Sequence, residues 1–172
     1  MAQRAGFGYL PQEYRDPENA EIAIIPVPYD QTSTWIKGAD QGPDAIIEAS
    51  GNMELYDIEM DSEVYRRGII TDEPIETDLF PDDMVEVVRQ RVQKHIDRRR
   101  FTVILGGEHS VSIGSVQAHV QNYSGLVVLQ LDAHADLRDT YEGSRYNHAC
   151  VMARIRELSP IVQVGLRSMD SS

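Results

Sequence analysis

Residues 101–136 read FTVILGGEHSVSIGSVQAHVQNYSGLVVLQLDAHAD, and the order of apolar and polar stretches in this segment decides the fold. Phe101 to Leu105 is a short apolar run closed by Gly106-Gly107. A run of that length without polar alternation predicts a strand buried on both faces. The residues from about Ser112 to Gln121 predict a helix, and Leu126 to Leu131 repeats the buried-strand signature. Strand, helix and strand in this order make a βαβ unit, which is right-handed and belongs to a parallel sheet covered by helices on both faces.

The flanking sequence extends the same pattern. Ile22-Ala23-Ile24-Ile25 is an apolar, β-branched run closed by Pro26 and Pro28, and Pro43 stands in the first turn of a predicted helix over Asp44 to Ser50. Residues 68–70 make a further short strand. Met84, Val85, Val88, Val92 and Ile96 recur at helical spacing, with Asp82 and Asp83 before them and Arg98-Arg99-Arg100 after them, as the helix dipole favours. A helix near His148 to Leu158 and a strand at Ile161 to Val164 follow. Residues 1–20, rich in Pro, Gly and charge, read as an irregular lead-in that orders by docking. The expectation is one α/β domain over residues 1–172, in three layers (α/β/α) around a mainly parallel sheet.

A formal net charge of -12 sets the chain against polyanions, so no nucleic-acid partner is expected. It suits a cationic small molecule or divalent metals, although acidity also serves plain solubility. The one cysteine, Cys150, excludes an internal disulfide framework and a thiolate zinc site, and reads as a small buried hydrophobe in a reducing compartment. No apolar stretch reaches signal-peptide or membrane-spanning character, so no membrane partner and a cytoplasmic location are expected.

In parallel α/β sheets the reacting groups gather at the carboxyl ends of strands. Here one predicted strand ends in Gly106-Gly107-Glu108-His109-Ser110 and the other in Asp132-Ala133-His134-Ala135-Asp136. In an extended chain Asp132 and Asp136 would stand about 13 Å apart, at ~3.3 Å per residue, too far for one ion unless the backbone curls. Two ions roughly 3.5–4 Å apart relax that demand, because one carboxylate can bridge both. Imidazole and carboxylate donors without thiolate point to Mn²⁺ first, with Zn²⁺ or Fe²⁺ as alternatives. Taken alone, Asp-x-His-x-Asp reads equally as a solvated loop or a helix cap. The clustering of His109, His134 and His148 at strand ends and a helix start shifts that balance, whereas His95 and His119 fall inside helices and read as structural or surface residues. Arg138 to Gly143 leads from the acidic cluster to His148 and reads as the mouth of a site. Tyr29 and Trp35 read as packing the first loop.

Gly-Gly-Glu-His-Ser, then Leu-Asp-Ala-His-Ala-Asp-Leu-Arg-Asp, then Asn147-His148-Ala149, resembles the ordered signature of the ureohydrolases, the agmatinase and arginase family that hydrolyses guanidinium groups to urea. Residues 26–30, 37–43 and 163–168 also resemble segments of agmatinase-like members. The resemblance implies an arginase-like fold in which His109, Asp132 and Asp136 bind one Mn²⁺ and His134 and Asp132 a second. It implies that His148 handles the proton passed to the leaving amine. A small cationic guanidino substrate is implied, agmatine first, with arginine or guanidinobutyrate as alternatives, and so is a homo-oligomer, trimer or hexamer. The family carries a later Asp-x-Asp and a further acidic residue that these 172 residues do not contain. The fold is therefore expected to be incomplete on its C-terminal side, with weak or partial metal binding and feeble or nil urea release. The competing expectation is a non-catalytic metal-binding or assembly module.

Overall fold

The apolar run after Glu21 forms β1 (Ile22–Val27), and its burial explains its composition: Ala23, Ile25 and Val27 have no exposed surface. It is the middle strand of a parallel sheet ordered β2-β1-β3, with β2 at Ile69–Thr71 and β3 at Phe101–Gly106. Ile22 is level with Phe101 and Val27 with Gly106, so β1 and β3 end together. The computed structural model describes residues 6–170; residues 1–5 of the expected lead-in, and Ser171 and Ser172, lie outside the described residues.

Among the described residues four α-helices flank the strands: α1 (Gly42–Ser50), α2 (Pro81–Ile96), α3 (Val111–Asn122) and α4 (Val151–Arg156). Pro81 at the start of α2 and Asp82 and Asp83 in its first turn suit a helix N-terminus. Met84, Val88 and Val92 of α2 pack with Ile25, Val27 and Tyr29 in one core cluster. Val85, one residue round the helix, joins Ile113 of α3 and Val151, Met152 and Ile155 of α4 in a second. The two helices α2 and α3 approach closely because Gly114 has no side chain, since a Cβ there would lie 2.3 Å from the Val85 carbonyl oxygen.

Arg100 differs from its expected role. The helix ends at Ile96, and Arg100 is buried, its guanidinium donating to the carbonyls of Pro17 and Ala20 and to His95 Nδ1. It ties the lead-in to the body rather than complementing the dipole, because a buried guanidinium needs several acceptors and the lead-in backbone supplies them. Phe7 and Gly8 dock similarly, donating to Thr71 Oγ1 and Ser50 Oγ, both at 2.8 Å. His95 Nε2 donates in turn to Asp72 at 2.8 Å, so the helical histidine is structural.

The second expected strand of the βαβ unit is β4 (Val128–Leu131), and it pairs in parallel with β5 (Ile161–Val164). β3 and β4, however, belong to separate hydrogen-bonded sheets, which departs from the unit read from residues 101–131. α3 is common to the packing of both, but packing through a helix does not oblige the strands to touch. On the β4–β5 sheet Val128 and Ile161 face the second core cluster, whereas Leu129, Leu131, Val162 and Val164 are exposed. The strand buried on both faces that was expected at Leu126 to Leu131 is therefore buried on one face only, the side that packs toward α3 and α4.

Candidate metal centre

Both motifs sit where strands end. After β3 the chain turns through Gly107, whose amide donates to the Val27 carbonyl, and the next amide, of Glu108, donates to the Tyr29 carbonyl at 2.8 Å. A Cβ on Gly107 would lie 2.1 Å from the Tyr29 oxygen. The glycine is thus required by the neighbouring backbone. The turn projects His109 from the end of β3, just before α3.

After β4 the Asp132 amide continues the ladder to the Val164 carbonyl, and the Ala133 carbonyl accepts from the amides of Arg167 and Ser168. The chain then curls. Asp136 has φ 50°, a left-handed conformation that Asp tolerates better than most residues. Its carbonyl accepts from the amides of Met152 and Ala153, satisfying open donors in the first turn of α4. The curl brings Asp132 and Asp136 to one point: with His109 they offer ligand atoms all within 4.8 Å of one another.

His109 Nδ1 lies 3.6 Å from Asp132 Oδ2, while its Nε2 donates to the His148 carbonyl at 2.9 Å. A carbonyl only accepts, so Nε2 carries the hydrogen and Nδ1 keeps its lone pair. Asp132 turns its other oxygen to His134: Oδ1 is 3.4 Å from the ring Nδ1 and accepts the His134 amide at 2.8 Å. His134 stands outside the three-residue group and is largely exposed, yet it touches the same carboxylate. Asp136 is nearly buried, held at Oδ2 by Gln130 Nε2 at 3.0 Å.

His148 closes the site. Asn147 caps the short 3-10 turn His148–Cys150 with its own side chain, which accepts the Ala149 amide, so the His148 ring is free of that duty. The ring lies 6.4 Å from that of His109 and 6.0 Å from that of Tyr141. With His109, His134, Arg138 and Tyr141 it lines a cleft of about 560 Å³, in keeping with Arg138 to Gly143 as the mouth. Cys150 is fully buried and its thiol pKa is raised by burial, as suits a packing residue. Tyr29 is buried as expected, but Trp35 is 91% exposed and borders a second opening beside Glu108, His109 and His148. Sequence reasoning missed Thr32 of this loop, whose hydroxyl meets both Glu108 and His148. A threonine in a polar loop carries no periodic signal that could have found it.

The arginase family profile matches residues 20–172. The chain belongs to the arginase family. Curated relatives of this arginase-family chain include an N(1)-aminopropylagmatine ureohydrolase of Synechocystis sp., 37% identical over 88% of the chain and 52% of the relative. An agmatinase of Pyrococcus horikoshii is 35% identical over 89% of the chain and 54% of the relative. Among solved structures, the agmatine ureohydrolase of Thermoplasma volcanium superposes with a TM-score of 0.81 at 30% identity, covering 89% of this chain and 52% of that one. The chain spans about half the length of these relatives.

The charges of the arginase-family cluster fit divalent cations. Burial raises the pKa of Asp136, and the negative Asp132 beside it adds to this against the opposing influence of His109. For Asp132 burial acts upward too, but the His134 amide and the neighbouring imidazoles outweigh it and hold the pKa low. A buried carboxylate facing a second one, with an imidazole lone pair turned toward them, is a donor set that a hard or borderline cation satisfies. Among the described residues no helix is long and apolar enough to cross a membrane.

Proposed function

We propose that this centre is that of a binuclear manganese ureohydrolase, which hydrolyses a linear guanidino cation to urea and an amine. The carrying observation is Asp132, with one oxygen toward His109 and the other toward His134, the arrangement of a carboxylate shared between two ions. His109 Nδ1, Asp132 and Asp136 would hold one Mn²⁺, and His134 with Asp132 the other. When bound, such a pair lowers the pKa of water toward neutrality and so supplies the nucleophile.

The protein groups complete the chemistry. Addition of water at the guanidinium carbon and cleavage of its bond to the alkyl-bearing nitrogen yield urea and an alkylammonium ion. His148, at the cleft wall, delivers the proton that the departing nitrogen needs. The acidic chain favours a cation in the cleft, and the names of the relatives support agmatine or its N(1)-aminopropyl derivative as substrate. Agmatine would give putrescine and urea. A cytoplasmic setting fits the unpaired Cys150, and a trimer or hexamer remains part of the proposal.

The test is urea release from agmatine with Mn²⁺, for the protein and for Asp132→Asn. Release that the substitution cuts at least ~100-fold supports the reading; equal rates overturn it. One observation favours a second reading: among the described residues only two carboxylates, Asp132 and Asp136, converge with His109. Tight Mn²⁺ binding without any urea would favour a metal-binding or assembly module.

A further inference from the structure

The hydroxyl of Thr32 is the meeting point of three groups. It lies 2.9 Å from Glu108 Oε1, 2.9 Å from the backbone nitrogen of His148 and 3.3 Å from His148 Nδ1. Thr32 and Glu108 are both buried. A hydroxyl has one proton to give, a carboxylate only accepts, and a backbone amide only donates. Glu108 is itself fixed, accepting Ser110 Oγ at 2.7 Å and the Ser110 amide at 2.8 Å. The Thr32 proton therefore goes to Glu108, and its oxygen can engage the His148 ring only as an acceptor.

We propose that Thr32 and Glu108 are positioning residues for His148: Glu108 claims the Thr32 proton, the Thr32 oxygen then accepts from Nδ1–H, and Nε2 is left as the working nitrogen. This rests on reading His148 as the proton-handling group. The ring nitrogen that carries hydrogen is set by the bond its partner nitrogen makes. Here that bond runs back through Thr32 to a buried carboxylate, while Nε2 has no hydrogen-bond partner among the described residues and His148 borders both openings of the site. A neutral ring so held can take a proton at Nε2 and give that same proton to the leaving nitrogen, with no change at Nδ1. The same contacts tie the loop of Thr32, the turn of Glu108 and the segment of His148 into one wall. His109 is held by the carbonyl of that same His148.

The decisive experiment is the ¹⁵N spectrum of the His148 imidazole in the histidine-labelled chain, at a pH where the ring is neutral, assigned by its disappearance in His148→Gln. The expected result is a protonated Nδ1 and an unprotonated Nε2, retained in Thr32→Ser and lost in Thr32→Val. A ring protonated at Nε2 in the unsubstituted chain overturns the proposal, whether or not Thr32→Val folds; so does a Thr32→Val spectrum that keeps the original tautomer. In the urea assay Thr32→Val is expected to lower kcat about 100-fold with KM little changed, and Thr32→Ser to restore it. A loss confined to KM would assign Thr32 to substrate binding and end the positioning role. If the chain releases no urea, the tautomer alone decides the role of Thr32.

Discussion

The carbonyl of His148 accepts the Nε2 hydrogen of His109 at 2.9 Å, so the residue read as proton donor also orients the residue read as metal ligand. Outer partners of ligating histidines fix both tautomer and aim. The bond uses the backbone of His148, and substitution of its side chain should leave the metal affinity almost unchanged. Calorimetric titration of His148→Gln with Mn²⁺ is expected to match the unsubstituted chain within about 10-fold, less than the ~10–100-fold that loss of an outer partner costs.

Asp132 and His134 should differ in weight. Asp132 lies against both imidazoles, whereas the His134 side chain is 63% exposed, with its ring Nδ1 3.4 Å from Asp132 Oδ1. Asp132→Asn is expected to weaken Mn²⁺ binding more than His134→Asn does, by ~10-fold or more. The same calorimetry checks the order, and a reversed order would contradict the shared-carboxylate reading.

Gly114→Ala places a methyl against the α2 backbone, with the Val85 oxygen 2.3 Å away and the Arg89 nitrogen 2.9 Å away. Helix backbones cannot step aside as a side-chain tip can. A loss of about 1–3 kcal/mol is expected, read as a lower urea midpoint at constant m-value.

Asp72 carries an acid-sensitive part of the stability. Burial alone would raise its pKa, but the hydrogen bond from His95 and the charge beside it, with Arg91 at 3.2 Å, hold it below the ordinary 3.8. A carboxyl depressed in the folded state stabilises above its unfolded pKa, and that contribution fades as the pH falls from 3.8 toward the lower folded value. Asp72→Asn is expected to cost about 1–2 kcal/mol at neutral pH and to flatten the decline of stability below pH ~4, as denaturation measured across pH would show.

Trp35 is the only tryptophan and is 91% exposed. Its fluorescence should be solvent-like and freely quenched by acrylamide. Agmatine bound in the presence of Mn²⁺ is expected to reduce that quenching, because Trp35 borders the opening beside His109 and His148. Unchanged quenching at saturation would place the substrate elsewhere.

Much of the architecture was legible because burial writes itself into composition. The runs at Ile22, Phe101 and Ile161 all form parallel strands, and Met84, Val88 and Val92 do face the core. The gathering of His109, Asp132 and Asp136 was legible as well, since polar clusters follow the carboxyl ends of strands, although here two sheets rather than one supply those ends. Pairing was not: nothing in residues 101–131 distinguishes strands that touch from strands that only share a covering helix. Nor was the curl at Asp136, whose left-handed backbone depends on what the Asp136 carbonyl caps. Thr32 and Arg100 escaped because their roles come from partners distant in the chain, Glu108 and His148 for one and Pro17 and Ala20 for the other.

β3 and β4 share no ladder, yet their tips present His109 and Asp132 to each other at 3.6 Å. The separation of these two side chains is therefore set by side-chain packing and by the hydrogen bonds around Thr32 and His148, not by a continuous ladder of amide bonds. An ion seated between them would act as a rivet across the seam, and the stiffness of the joint would depend on its occupancy.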